Sequence, residues 1–125
     1  MAVVKPFRGY RPVKDLVHLI ASRPYDVLSS DEARVEAESN PQTFLHVVKP
    51  EIDLPPDTDH YAGIVYEPGK KHLEALIRKG TFFQDSKAVY YIYAQTMWGK
   101  TQYGLVGCAS VEDYMNNVTM ILRMD

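Results

Sequence analysis

Two arginines near the start of the chain are placed to bind an anion. Arg8 and Arg11 lie three residues apart in an extended segment that contains Gly9. Guanidinium groups bind phosphate and carboxylate through paired hydrogen bonds, and a glycine lets a ligand approach the backbone. The spacing therefore predicts an anion-binding site, and the alternative is a solvated surface with one ion pair.

A second candidate lies between two predicted helices. Tyr25 and Asp26 precede Ser29, which stands three residues before Glu32 and so predicts a capped helix N-terminus. Backbone amides at such a terminus can hold an anion, with Tyr25 and Ser29 as further contacts. Asp26 is the candidate catalytic base or cation ligand, and its alternative role is a turn residue that hydrogen-bonds to its own backbone.

The histidines and the single cysteine do not form a recognisable metal-binding motif. His18, His46, His60 and His72 show no zinc-type spacing with one another or with Cys108, so no metal site is predicted and the cofactor stays open. His46 is a candidate ligand contact on a predicted strand, where the more common role is a packed, hydrogen-bonded histidine. Cys108 lies in an apolar stretch that favours a buried thiol.

The composition excludes several broad classes of protein. A chain of 125 residues with 46% hydrophobic and 24% charged residues fits one globular domain, residues 1–125. The 14 basic and 16 acidic side chains give a net charge of −2, so no nucleic-acid partner is predicted. The chain has neither a signal-peptide pattern nor an apolar run long enough for a membrane span, which predicts a cytoplasmic protein without a membrane partner.

The predicted elements give an α+β fold class. Strands are predicted at residues 2–10, 43–48, 88–97 and 101–109, and helices at residues 13–20, after Ser29, from Pro68 to Gly80, and after Ser110 with Val118, Ile121 and Leu122 on one face. Residues 50–59 are interpreted as a solvated acidic loop. Because Gly99 suits a tight turn, the last two strands form a C-terminal β-hairpin in a mixed or antiparallel sheet, with three or four helices packed around it.

Six short motifs, taken in order, resemble the N-terminal part of one protein family. They are PFRGYRP at residues 6–12, PYDVLS at 24–29, NP at 40–41 with FLHV at 44–47, PEIDLP at 50–55, YYIYAQ at 90–95 and GCASVEDY at 107–114. In order and spacing the chain is similar to the domain of unknown function (DUF) 1015 family of bacteria and archaea.

The resemblance implies an uncharacterised function and a longer architecture. Family members usually continue beyond the position of Tyr114 through a helix with a His-Glu pair and an arginine, into a large C-terminal portion. This chain departs from that pattern after Tyr114, so we expect a truncated N-terminal part. A more distant analogy, to the ParB and sulfiredoxin-type fold in which some proteins phosphorylate free serine, implies phosphoryl transfer by full-length members.

Two functional hypotheses follow from these observations. The first is binding of a phosphorylated small molecule or nucleotide, an anionic partner held by the candidate residues. Those residues are Arg8, Arg11, Tyr25, Ser29 and His46 as ligand contacts and Asp26 as the catalytic candidate. The second is a non-catalytic interaction module that forms a homo-oligomer through the tyrosine-rich hairpin and the last helix.

Overall fold

A run of helices lies between two groups of strands in a computed structural model that describes residues 2–117. The α+β prediction is confirmed. The chain divides into two units, which we describe separately. The first unit comprises Met1–Gly9 and Gln84–Asp125, and the second comprises Tyr10–Phe83.

The second unit contains four α-helices and four short turns of 3₁₀ helix. The α-helices are α1 (Val17–Ile20), α2 (Ser30–Ala37), α3 (Leu45–Val48) and α4 (Tyr66–Arg78). The 3₁₀ turns are Lys14–Leu16, Tyr25–Val27, Pro50–Asp53 and Gly63–Val65. Strand β2 (Tyr10–Pro12) pairs with β3 (Phe82–Gln84) where the chain enters and leaves this unit.

Local sequence signals set the ends of the two longest helices. At the start of α2, Ser29 Oγ accepts a hydrogen bond from the Glu32 amide while the Glu32 carboxylate accepts one from the Ser29 amide. This reciprocal capping box confirms the prediction. Pro68 lies in the first turn of α4, and Gly80 follows the helix with a φ of +75°, a backbone conformation that glycine adopts without strain.

A small apolar core holds the second unit together. Leu45 of α3 is completely buried, and it clusters with Leu28, Ala33, Ala37 and Ile52 from the neighbouring elements. The alanines let α2 approach the core closely, so that α2, α3 and the turn at residues 50–53 pack around Leu45.

The strand predicted at residues 43–48 is wrong, because Leu45–Val48 form α3 instead. The Val48 amide donates to the Phe44 carbonyl and the Lys49 amide to the Leu45 carbonyl, which closes one helical turn. Burial of Leu45 outweighs the strand preference of the branched and aromatic residues around it. The solvated-loop interpretation of residues 50–59 is wrong at Glu51, whose side chain is buried.

The first unit is built on strands, and its largest element is the predicted hairpin. Strand β1 (Val4–Lys5) pairs with β6 (Cys108–Ala109), and β4 (Tyr91–Met97) pairs with β5 (Lys100–Val106) over seven residues. A helical turn, α5 (Val111–Met115), follows, with Ser110 Oγ accepting from the Asp113 amide. The predicted apolar face at Val118, Ile121 and Leu122 lies outside the described residues.

The hairpin has an unusual turn and very little burial. Trp98 and Gly99 form the turn with φ values of +49° and +75°, which matches the two positive φ angles of a type I′ turn. On one face Ile92 pairs with Leu105, and these side chains are 76% and 70% exposed. Cys108 is also exposed, so the expectation of a buried thiol is wrong.

Within residues 2–117, no helix combines the length and the apolar character that crossing a bilayer requires.

Candidate functional site

Arg8, the first predicted anion contact, is tied to the backbone of the first unit. Its Nε donates to the Asp85 carbonyl over 2.8 Å, and its own carbonyl accepts from the Gln84 side chain. Gly9 is required here by Tyr91 rather than by a ligand, because a Cβ at Gly9 would lie 2.6 Å from the Tyr91 hydroxyl oxygen. That hydroxyl accepts from the Gly9 amide and donates to the Asp85 carboxylate.

The second unit contains the remaining predicted residues, and it does not gather them at one point. The Arg11 guanidinium lies over the Phe83 ring, 5.0 Å from its centre. Ser29 uses its hydroxyl and amide in the capping box of α2, and Tyr25 and Asp26 lie on the 3₁₀ turn that precedes it. Asp26, Ser29 and His46 make no hydrogen bond or ion pair with one another. Their roles as ligand contacts or base stay predictions.

His46 instead forms a compact cluster with two residues that the sequence did not connect to it. Its Nδ1 lies 2.9 Å from both carboxylate oxygens of Asp53, and His72 Nε2 lies 3.1 Å from Asp53 Oδ2. The two imidazole rings stack with their centres 4.7 Å apart and an angle of 22° between their planes. His46 Nε2 is buried and has no hydrogen-bond partner among the described residues. Such an orphaned atom is uncommon in a purely structural contact.

Three elements of the second unit position this cluster. His46 lies on α3, Asp53 ends the 3₁₀ turn at residues 50–53, and His72 lies in the middle of α4. The close approach depends on Gly69, one helical turn before His72. A Cβ at Gly69 would lie 3.0 Å from the Val47 carbonyl oxygen and 3.1 Å from Pro50 Cβ.

Glu51 fixes the turn that carries Asp53. Its Oε1 accepts from the Ser30 hydroxyl at 2.9 Å and lies 3.4 Å from Lys49 Nζ, while its backbone carbonyl accepts from Arg34. Burial alone raises the pKa of Glu51, but its own backbone amide, Ser30 and Lys49 together stabilise the charged form more strongly. The pKa of Glu51 therefore lies below its ordinary value.

Two open pockets border the cluster, and Asp53 lines both of them. The larger, of about 890 Å³, follows α4 and is bordered by His72 and by three cations, Lys71, Arg78 and Lys79. The smaller, of about 480 Å³, is bordered by Arg34 and His46. Asp53 borders both, so the cluster is accessible to small solutes.

We compared the chain with models of protein families, with curated proteins and with solved structures. The model of the family described as "Protein of unknown function (DUF1015)" matches residues 4–123, with its N-terminal portion. The chain belongs to this family. No curated protein and no solved structure gave a match.

Membership in the DUF1015 family confirms the resemblance drawn from the six motifs. Two of those motifs contribute to the cluster, because FLHV at residues 44–47 carries His46 and PEIDLP at 50–55 carries Asp53. Sequence reasoning did not select Asp53 or His72 as site residues. A search for local ligand spacing cannot connect a histidine on α3 with one on α4. In addition, the wrong prediction of a strand at residues 43–48 placed His46 on a sheet face instead of on a helix.

Proposed function

We propose that this chain binds a phosphorylated small molecule or a nucleotide in the open pocket along α4. The observation that carries the proposal is the set of three cations on one border of the pocket. Lys71, Arg78 and Lys79 recur at helical spacing, and among the described residues none has an ion-pair partner within 4.0 Å. A volume of about 890 Å³ suits a small-molecule ligand.

The acidic residues of the same pocket narrow the class of ligand. Asp53, Glu67 and Glu74 also border it, so the formal charges of its carboxylates and its three cations cancel. A simple anion would be repelled by the carboxylates as well as attracted by the cations. A ligand that combines a phosphate with hydroxyl or amino groups satisfies both sets, as a nucleotide or a phosphorylated amino acid does.

The contacts predicted from the sequence are a separate hypothesis for the same ligand. They are Arg8 in the first unit, with Arg11, Tyr25, Ser29 and His46 in the second unit and Asp26 as the catalytic candidate. Phosphoryl transfer is suggested by the ParB and sulfiredoxin analogy. It would require, besides a bound nucleotide as phosphoryl donor, magnesium and a second molecule that accepts the phosphoryl group. Binding is the simpler claim and can be tested first.

Calorimetric titration with adenine nucleotides and with phosphoserine tests the proposal. We expect wild-type protein to bind one of them and the variant Lys71→Gln/Lys79→Gln to bind it at least tenfold more weakly, because a hydrogen bond to a charged group contributes about 1.5–3 kcal/mol. Lys87→Gln/Lys100→Gln, which removes two exposed cations that do not border this pocket, is the matched control.

The Arg8→Ala/Arg11→Ala variant distinguishes the two locations. If only this variant loses binding, the ligand belongs to the arginine pair and the α4 pocket is not its site. Absence of heat with every ligand, or equal affinity in all variants, would reject the binding function.

Self-association through the hairpin is a second candidate function, favoured by its exposed apolar face. Ile92 and Leu105 are directly opposite each other, and Tyr103, next on the same face, is 74% exposed. Isolated two-stranded hairpins are only marginally stable in water, and a contiguous apolar face is typical of an interface. A second copy of the chain, packed through the same face, would cover the apolar side chains of both hairpins and stabilise them.

Sedimentation equilibrium tests this second candidate. We expect the wild type to form dimers in a concentration-dependent manner and Ile92→Lys/Leu105→Lys to remain monomeric. Val35→Lys, which places a charge on another exposed apolar position in the second unit, should leave the association unchanged. A monomeric wild type at the highest concentrations measured would reject self-association.

A further inference from the structure

We infer that His46, Asp53 and His72 form a binding site for a divalent transition-metal ion such as Zn²⁺. The inference does not depend on the phosphorylated ligand proposed above, because it rests on the geometry of the three side chains alone. Each offers one ligand atom, and these atoms all lie within 4.8 Å of one another.

Two of the three distances between the ligand atoms are close to those found around a single ion. Zinc binds imidazole nitrogens at 2.0–2.1 Å and carboxylate oxygens at about 2.0–2.2 Å, so two ligands of a tetrahedral ion lie roughly 3.3 Å apart. The nitrogen-to-oxygen distances of 2.9 Å and 3.1 Å are within a few tenths of an ångström of that separation. The two histidine nitrogens lie within 4.8 Å of each other, so a single ion requires side-chain shifts that bring all three ligand atoms to the separation of roughly 3.3 Å.

The donor set selects the class of ion. Two imidazoles and one carboxylate are typical ligands of zinc and of other first-row transition metals, whereas magnesium and calcium prefer sites made of oxygen atoms. With three protein ligands, one or more coordination positions are left for water or a ligand. Asp53 borders both the pocket along α4 and the smaller pocket, so such a position can be reached from solvent.

The surrounding fold holds the ligands in place before an ion arrives. The rings of His46 and His72 are already stacked, and a nitrogen of each ring already lies at the Asp53 carboxylate. When an ion takes these nitrogens, the hydrogen bonds to Asp53 are replaced and the donated protons pass to the other ring nitrogen or to solvent. The Asp53 turn is held through Glu51 by Ser30, Lys49 and Arg34. Ligands that are supported in this way lose little freedom on binding, which favours affinity.

The competing role is a purely structural hydrogen-bonded cluster that ties α3 and α4 together, and metal titration distinguishes the two. We expect calorimetry to show one Zn²⁺ per chain and no binding of Mg²⁺ at the same concentrations. We expect Co²⁺ to give the visible absorption of a site with nitrogen and oxygen ligands at the same stoichiometry.

Two ligand variants and one control complete the experiment. His72→Ala and Asp53→Asn should each weaken Zn²⁺ binding at least tenfold, while His60→Ala, which removes an exposed histidine outside the cluster, should leave it unchanged. Asp53→Asn keeps an oxygen that can accept a hydrogen bond, so it decides the question if His72→Ala does not fold. No stoichiometric Zn²⁺ binding by the wild type would overturn the site, as would equal affinity in all four proteins.

Discussion

The two units are stabilised by different means, although they belong to one short chain. The second unit has an apolar core around a fully buried Leu45. In the first unit, the only residue buried within the described part of the chain is Gly9, and the strands are tied by hydrogen bonds between tyrosine hydroxyls and the backbone. Burial therefore sets the stability of one unit, and polar contacts at a few positions set that of the other.

Two leucine substitutions give the sharpest comparison. Leu45→Ala should lower the free energy of unfolding by about 2–5 kcal/mol, because it removes a buried side chain and leaves a cavity in the second unit. Leu105→Ala, at a 70% exposed position of β5, should change it by about 0.5 kcal/mol or less. Urea denaturation measures both. A large loss with Leu105→Ala would mean that the hairpin face is covered in solution.

Two tyrosine substitutions probe the polar contacts of the first unit. Tyr91→Phe removes the hydroxyl that accepts from the buried Gly9 amide and donates to Asp85, and should destabilise by about 1–3 kcal/mol. Tyr93→Phe, on the same face of β4, is the control and should be nearly neutral, because its hydroxyl makes no hydrogen bond to another residue within 2–117. Hydrogen exchange at the Gly9 amide reports the difference directly. Unchanged protection in Tyr91→Phe would contradict the assignment.

The serine caps allow the same comparison at the level of single helix ends. Ser29→Ala should cost about 1 kcal/mol, because the Glu32 amide at the start of α2 loses its side-chain acceptor, and the remaining bond from the backbone amide of position 29 to the Glu32 carboxylate loses its reciprocal partner. Ser110→Ala removes a single hydrogen bond at the short α5 and should cost less. Thermal unfolding of both variants provides the measurement, and an equal or reversed order would show that the capping box adds nothing.

The smallest expected effect is at Glu51 in the second unit, whose contribution to the free energy of unfolding should be lost in acid. Its pKa is lowered in the folded chain, so its contribution is fully present above its ordinary pKa near 4.5 and disappears as pH falls through the lower, folded value. Denaturation of the wild type and Glu51→Gln between pH 3 and pH 7 should therefore converge at low pH. Parallel stability curves across that range would contradict the shift.

The parts of the fold that the sequence predicted are those with local causes. The capping box at Ser29, the stop at Gly80 and the hairpin turn at Gly99 each depend on residues within a few positions of one another. Helix α3 was missed because its cause is distant: the burial of Leu45 against α2 overrides the strand preference of its neighbours.

The candidate site also combines residues that the sequence could indicate with residues that only the packing brings together. The motifs identified the family and placed His46 among the candidates, but the partners of His46 depend on how α4 packs. Gly69 is the residue that permits this approach, and a single glycine within a helix carries no signal of what it will contact. Pairs of side chains brought together by packing cannot be found from spacing along the chain.

The turn of the hairpin provides a natural optical probe. Trp98 is the sole indole in the chain, and 93% of its surface is exposed. Its fluorescence should have the long emission wavelength of a hydrated indole and be quenched readily by iodide. Anything that covers the tip of β4 and β5 would shift that emission to the blue, so contact at this end of the molecule can be followed without attaching a dye.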